Sequence, residues 1–201
     1  AFGNPGPLGL WAFALTTFIL SCYNAGIFGA HVSTPTNVVV GVAVFYGGLG
    51  QLVAGMWELG SGNTFAATAF SSYAGFWLSY AALLIPGFGV GAAFSSSSDT
   101  DTDDLSHAIA IFLLAWTILT VLLLVASFRT TVGLVVLFVF LTTTFLLLTV
   151  AEYNHSDRVK RAGGFFGIFT AIIAWYNGLV GLLASQNPPL FALPDRKLHS
   201  V

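Results

Sequence analysis

Apolar residues fall in six long runs separated by short polar breaks, at about 8–29, 38–59, 64–85, 106–128, 131–151 and 162–184. Each run is close to the roughly 20 residues that a helix needs to cross a hydrocarbon core about 30 Å thick. None of the runs holds a lysine or an arginine. The breaks carry turn chemistry: Thr34-Pro35-Thr36-Asn37, Gly60-Ser61-Gly62-Asn63, Pro86-Gly87, the Arg129-Thr130 joint and the charged stretch 154–161, with Pro188-Pro189 stopping the last run. The pattern predicts an all-α integral membrane protein, a six-transmembrane-helix bundle forming one domain over 1–190, followed by a polar tail over 191–201. The joints after helices 2 and 4 are short enough to make those pairs antiparallel neighbours.

The first helix opens with Asn4-Pro5-Gly6-Pro7-Leu8-Gly9-Leu10. Asn4 suits an N-cap and Pro5 the first helical position, where its missing N–H removes a donor that would otherwise be unpaired. The remaining Gly6 N–H, the Asn4 side chain and the positive helix end make a weakly anion-attracting mouth. A well-capped membrane helix explains the same residues.

Polar positions fall on particular helix faces. On helix 1, Phe13, Thr17, Ser21 and Asn24 lie within an arc of about 80° at roughly 100° per residue. Lipid cannot satisfy such groups, so this face looks into the bundle or into a water-filled path; hydroxyl bonds to neighbouring helices or back to the backbone are the alternative. Helix 2 carries Gly41, Gly48 and Gly55 at seven-residue spacing, a small-residue stripe for close packing within or between subunits. Gln51 and Glu58 share an adjoining face. Glu58 is a candidate proton relay, or an interfacial carboxylate that caps the Asn63–Thr64 backbone.

Helix 3 presents a hydroxyl-bearing face with Thr68, Ser71, Ser72, Gly75 and Ser79, beside an aromatic stripe of Tyr73, Phe76 and Tyr80. Hydroxyl donors beside rings suit a small carboxylate with a methyl tail; packing or interfacial anchoring also explains the rings. On helix 5, Thr142, Thr143 and Thr144 point about 100° apart, so at least one faces inward, and Thr143 is the candidate. Helix 6 pairs Gly163 with Gly167 for close packing and carries Asn177 as a further polar group for the path or for an interhelical bond.

Charged residues are 7% of the 201, against about 25% in soluble domains, and apolar residues are 56%. A net charge of −2 on so few charges says nothing about nucleic acid, but no basic run is long enough to bind it, and no nucleic-acid partner is expected. The lone Cys22 allows no intrachain disulfide and reads as a packing residue. His31, His107, His155 and His199 lie in loops or at helix ends, so no helix supplies paired metal ligands or a buried nucleophile–histidine couple. No phosphate-binding glycine motif with its lysine occurs. An enzyme is therefore not expected, nor a metal or other cofactor. No cleavable leader is expected, although further chain before Ala1 is allowed for. The positive-inside count ties, with Arg129, Arg196 and Lys197 on one side and Arg158, Lys160 and Arg161 on the other. The acidic Asp99, Asp101, Asp103 and Asp104 read as a solvated loop, or as a cation-attracting mouth.

The opening heptapeptide, with Phe45-Tyr46-Gly47-Gly48-Leu49-Gly50-Gln51, Gly62-Asn63-Thr64-Phe65 and Thr68-Ala69-Phe70-Ser71-Ser72-Tyr73-Ala74-Gly75-Phe76-Trp77, resembles the acetate uptake transporter family, which includes succinate/acetate permeases and fungal acetate and ammonia-export relatives. The resemblance implies transport of acetate and similar short monocarboxylates, with succinate a further candidate, by an anion-channel or proton-coupled mechanism. It also implies a homo-oligomer, a hexamer, with a path through each subunit, and both termini in the cytoplasm. The Ser/Asp-rich loop points to the fungal members and so to the plasma membrane. An aromatic on helix 1 and a tyrosine on helix 3 narrow the related pores, and by motif position these are Phe13 and Tyr73. The candidate substrate path is then Asn4, Phe13, Thr17, Ser21, Asn24, Gln51, Thr68, Ser72, Tyr73, Tyr80, Thr143 and Asn177. Ammonia or ammonium export is one alternative. A membrane scaffold or acetate sensor without transport is another.

Overall fold

A computed structural model describes residues 3–95, 103–188 and 190–198. Among them run six long helices: α1 (Gly6–Ala25), α2 (Val39–Gly60), α3 (Thr64–Leu84), α4 (Asp103–Ser127), α5 (Val132–Tyr153) and α6 (Asp157–Ala184). A turn of 3₁₀-helix at Pro86–Phe88 and a short helix at Val90–Ser95 follow α3. Five of the long helices are long and apolar enough to cross a membrane; α3 falls outside that set because Thr, Ser and Tyr dilute its apolar residues. The chain is an all-helical membrane protein.

The helix ends follow local chemistry. α1 starts one residue later than the sequence suggests: Pro5 is the N-cap and Asn4 Oδ1 accepts the Gly6 N–H at 3.0 Å. It stops at Ala25, short of the expected residue 29, because Gly26 turns left-handed at φ 65°. Asn63, Thr131 and Ser156 cap α3, α5 and α6 through side-chain oxygens that accept the N–H groups of Ala66, Leu134 and Val159. The Ser156 cap starts α6 five residues before the apolar run, so Arg158, Lys160 and Arg161 ride on its first turns. Within α2, the glycine-rich Ala43–Gly50 adopts π-helical spacing. Of the acidic cluster, Asp99 and Asp101 lie outside the described residues, as does His199.

The helices close into a ring. α1 packs along α6, α6 along α5, α5 along α4, and α2 along both α3 and α1. Small residues permit the closest approaches. A side chain at Gly55 would meet the Ser71 backbone nitrogen at 2.9 Å, and one at Gly48 would meet Leu78 Cδ2 at 2.7 Å, so this half of the α2 stripe packs on α3 within the chain. Gly41 has nothing within 4 Å. Gly163 faces Leu148 of α5, whereas Gly164 and Gly167 seat against α1 at Ala25 and Ser21. Between α3 and α4 the ring is closed by aromatic side chains: Phe76 lies 5.9 Å from Phe112 and 5.3 Å from Trp116, centroid to centroid.

Buried hydroxyls mostly bond back to their own helix, which satisfies them without water. Thr16, Thr117, Thr120, Thr144 and Thr170 each donate to the carbonyl four residues earlier at 2.7–2.8 Å. The few buried polar atoms without such a partner are therefore informative.

Candidate functional site

Three cavities follow one another across the ring. The first, about 320 Å³, lies at the end that holds both described chain termini and is lined by Asn4, Gln51, Glu58, Asn63, Thr130, Gly181 and apolar residues reaching Phe13, Tyr73 and Phe138. The second, about 280 Å³, lies at the opposite end and includes Asn24, Thr36, Tyr80, Glu152 and Lys160. Between them sits a chamber of about 30 Å³, lined by Thr17, Ser21, Thr144, Phe145 and neighbours. Phe13 borders the first cavity and the chamber; Leu20, Asn24, Phe76 and Leu148 border the chamber and the second cavity.

Rings narrow the junction beside Phe13. Its centroid lies 5.5 Å from that of Tyr73, and Tyr73 stacks nearly parallel to Phe145 at 6.5 Å. Phe145 in turn meets Phe76 edge-on at 5.1 Å. Phe13, Tyr73, Phe138 and Phe145 are all at most 4% exposed. The Tyr73 hydroxyl sits 3.0 Å from Thr120 Oγ1 on α4. Thr120 gives its own proton to the Trp116 carbonyl, so Tyr73 donates to Thr120. The ring of Tyr73 faces the junction while its hydroxyl is held by α4.

Three polar side chains lining these cavities lack a hydrogen-bond partner among the described residues: Gln51, Thr17 and Trp77, whose indole N–H borders the chamber. Gln51, 1% exposed, has neither amide atom hydrogen-bonded, and Thr17 Oγ1 is likewise unpartnered. Such groups are costly when buried unless something in the cavity completes them, whether water or a passing solute. Glu58 is engaged: the Asn63 side-chain amide donates to its Oε2 at 2.9 Å, so the carboxylate holds the capping side chain of α3 rather than the Asn63–Thr64 backbone groups. At the far end, Lys160 donates to Glu152 Oε1 at 2.8 Å across α6 and α5. A lysine thus lines the second cavity, contributed by the turns that precede the apolar run.

The geometry gathers most of the expected residues and sets some apart. Asn4, Phe13, Gln51, Glu58 and Tyr73 meet at the first cavity, Thr17 and Ser21 at the chamber, and Asn24 and Tyr80 at the second cavity. Thr68, Ser72, Thr143 and Asn177 line none of the three. Thr68 donates to the Thr64 carbonyl and Thr143 to the Val139 carbonyl, both on exposed faces. Asn177 instead abuts Gly133 at the α5–α6 contact. On α5 it is Thr144 that turns inward, 3.4 Å from the Thr170 hydroxyl. The α5 wall itself, Phe138, Leu141 and Phe145, escaped the sequence reading, although its i, i+3, i+7 spacing marks one helix face.

An all-helical membrane protein with a row of cavities through the ring, interrupted by rings rather than closed by charge, has the build of a channel or transporter. The chain belongs to the GPR1/FUN34/yaaH family, whose sequence profile matches residues 1–199. It is 46% identical over 200 residues to acetate permease A of Emericella nidulans, covering 96% of this chain and 65% of that one. It is also 46% identical over 198 residues to ammonia transport outward protein 2 of Saccharomyces cerevisiae, covering 96% and 68%. The chain spans about two thirds of the length of these fungal relatives. A solved structure of the bacterial acetate channel SatP superposes with a TM-score of 0.80 at 28% identity, covering 96% of this chain and all of that one.

Proposed function

We propose that this chain is a six-span channel for acetate and similar short monocarboxylates, with its own path running from the first cavity past Phe13 and Tyr73, through the chamber, to the second cavity. The observation that carries this reading is the succession of three cavities that share lining residues, Phe13 between the first two and Leu20, Asn24, Phe76 and Leu148 between the last two, with unpartnered Gln51 and Thr17 beside them. Neutral donors in a ring-lined passage bind a carboxylate weakly enough to release it, whereas a fixed cation at the narrow point would hold it. The lining of the chamber holds no charged side chain. The relatives named as an acetate permease and an acetate channel support the substrate.

In this account Asn4 and Gln51 receive the anion at one end, Thr17, Ser21 and Asn24 hand it across, and Tyr80 borders the exit. Glu58 stays paired with Asn63 and carries no obligatory proton. The assembly is a homohexamer in the plasma membrane with both termini in the cytoplasm, and the domain takes in residues 1–190. Gly41, open on the chain's outer surface, is the glycine of the α2 stripe left for contact with another copy. Export of ammonia is the second reading, favoured by the ammonia transport outward relative.

The test is uptake of labelled acetate into liposomes holding the purified protein, with the membrane potential clamped and with or without a pH gradient. Flux that follows the anion's electrochemical gradient supports the channel. Accumulation driven by the pH gradient beyond that of protein-free liposomes would replace it with proton coupling, and flux of methylammonium without acetate flux would favour the second reading.

A further inference from the structure

The segment 190–198 does not trail away from the bundle. The Arg196 carbonyl accepts the Val132 N–H at 2.9 Å, the Leu198 N–H donates to the Thr130 carbonyl at 3.1 Å, and Thr131 and Lys197 form an antiparallel bridge. The Tyr176 hydroxyl of α6 donates to the Pro194 carbonyl at 2.7 Å. Three hydrogen bonds, with Thr130 of the α4–α5 joint, Val132 at the start of α5 and Tyr176 of α6, thus fix the segment across that joint, and Thr130 lines the first cavity.

The docking has an electrostatic result. Arg129 precedes Thr130 on the joint, and the bridge sets Arg196 and Lys197 alongside. All three side chains are exposed, and among the described residues no carboxylate pairs with any of them. The chain has six lysines and arginines, so half of its cations stand beside the joint that lends Thr130 to the first cavity. Among the described residues, the carboxylates of this region are Asp195, exposed on the segment, and Glu58, buried within the cavity, so the exposed cations outnumber the exposed carboxylate.

We propose that segment 190–198 is a built part of this entrance, held there to complete a cationic collar of Arg129, Arg196 and Lys197 that draws carboxylate anions to the first cavity. The proposal rests on the carboxylate reading above. Cations at the rim raise the local anion concentration without binding at the narrow point, so they speed arrival and leave release unhindered. Their reach is about 10 Å at 0.1 M salt and about 30 Å at 0.01 M, so the benefit fades as salt rises.

Two variants separate position from charge. Val132→Pro removes the N–H that holds Arg196 and alters no charge; proline is tolerated at the first helical position, and the preceding Thr131 already has the extended backbone (φ −110°, ψ 157°) that proline requires. Arg196→Gln with Lys197→Gln removes charge and keeps the backbone pairing. Labelled acetate flux is measured in membrane vesicles of single orientation, with this mouth facing the substrate. At 0.01 M salt and low acetate, both variants should run about tenfold below wild type, the lower end of electrostatic focusing. Their saturating flux should be unchanged, and the difference should vanish at high salt. Trypsin should also cut Val132→Pro faster at Arg196 and Lys197, which reports on docking without any transport. Wild-type salt dependence in the glutamine variant would overturn the electrostatic role. Wild-type flux and trypsin resistance in Val132→Pro would overturn the docking. Acetate flux absent from wild-type vesicles would overturn the carboxylate reading and the collar with it.

Discussion

The seam between α1 and α6 positions the wall that carries Phe13, Thr17, Ser21 and Asn24, so its tolerance is the place to test the packing. At Gly164 an added Cβ would stand 2.7 Å from both the Ala25 Cα and the Asn24 carbonyl carbon, backbone atoms that cannot rotate away. At the adjacent Gly163 it would meet Leu148 Cδ2 at 2.9 Å, the far end of a flexible side chain. Alanine returns about 1 kcal/mol of helix propensity at either site. Overpacking costs about 1–3 kcal/mol, and a rigid backbone contact belongs at the upper end. Gly164→Ala should therefore lose about 2 kcal/mol net and Gly163→Ala between zero and about 1. For a chain of this size the first corresponds to a Tm lower by about 4–8 °C. Thermal melts of the detergent-purified protein give the comparison. A Gly164→Ala protein that melts with wild type, or below which Gly163→Ala falls, would refute the backbone contact and the placement of the α1 wall. Labelled acetate flux of Gly164→Ala should fall with its stability, because the displaced helix carries Phe13.

Other residues make separable predictions. Tyr73→Phe removes the buried bond to Thr120, which keeps its bond to Trp116; stability should drop by about 1 kcal/mol while acetate flux stays within twofold of wild type, as read by melt and uptake together. Glu58→Gln keeps an acceptor for the Asn63 amide, so under the channel account potential-driven acetate flux should persist; its loss would make the carboxylate itself part of transport. Lys160→Gln breaks a part-exposed pair with Glu152 and should cost no more than about 1 kcal/mol, yet leave an unpaired carboxylate in the second cavity and slow acetate passage, an effect that double replacement with Glu152→Gln should relieve.

Much of the fold is legible because lipid imposes a simple rule: long apolar runs and polar punctuation specify helix count and rough bounds. The ends shifted where a cap overrode composition, as Ser156 did by recruiting Arg158, Lys160 and Arg161 into α6. Helix faces were legible on α1, where a polar arc in an apolar helix has few places to go, and Thr17 and Ser21 do line the chamber. They were less legible on α3 and α5, because a hydroxyl that can bond its own helix is as stable facing out as in. Thr68 and Thr143 take that option, and Thr144 takes it while facing inward. The Phe138–Leu141–Phe145 wall was hidden because nearly every residue around it is also apolar. Docking of 190–198 left no periodic signal, since its three hydrogen bonds, two of them to its own backbone carbonyls and one from its own N–H, need no hydrophobic pattern.

The most direct test of the path is to fill its narrowest chamber. Thr17 is 6% exposed and its unpartnered hydroxyl borders a space of about 30 Å³, too small for a phenyl ring and an acetate together. Labelled acetate flux, under clamped potential, should be protein-dependent for wild type and fall to the protein-free level for Thr17→Phe whose melt shows a folded chain. Undiminished flux through a folded Thr17→Phe protein would mean that acetate crosses elsewhere.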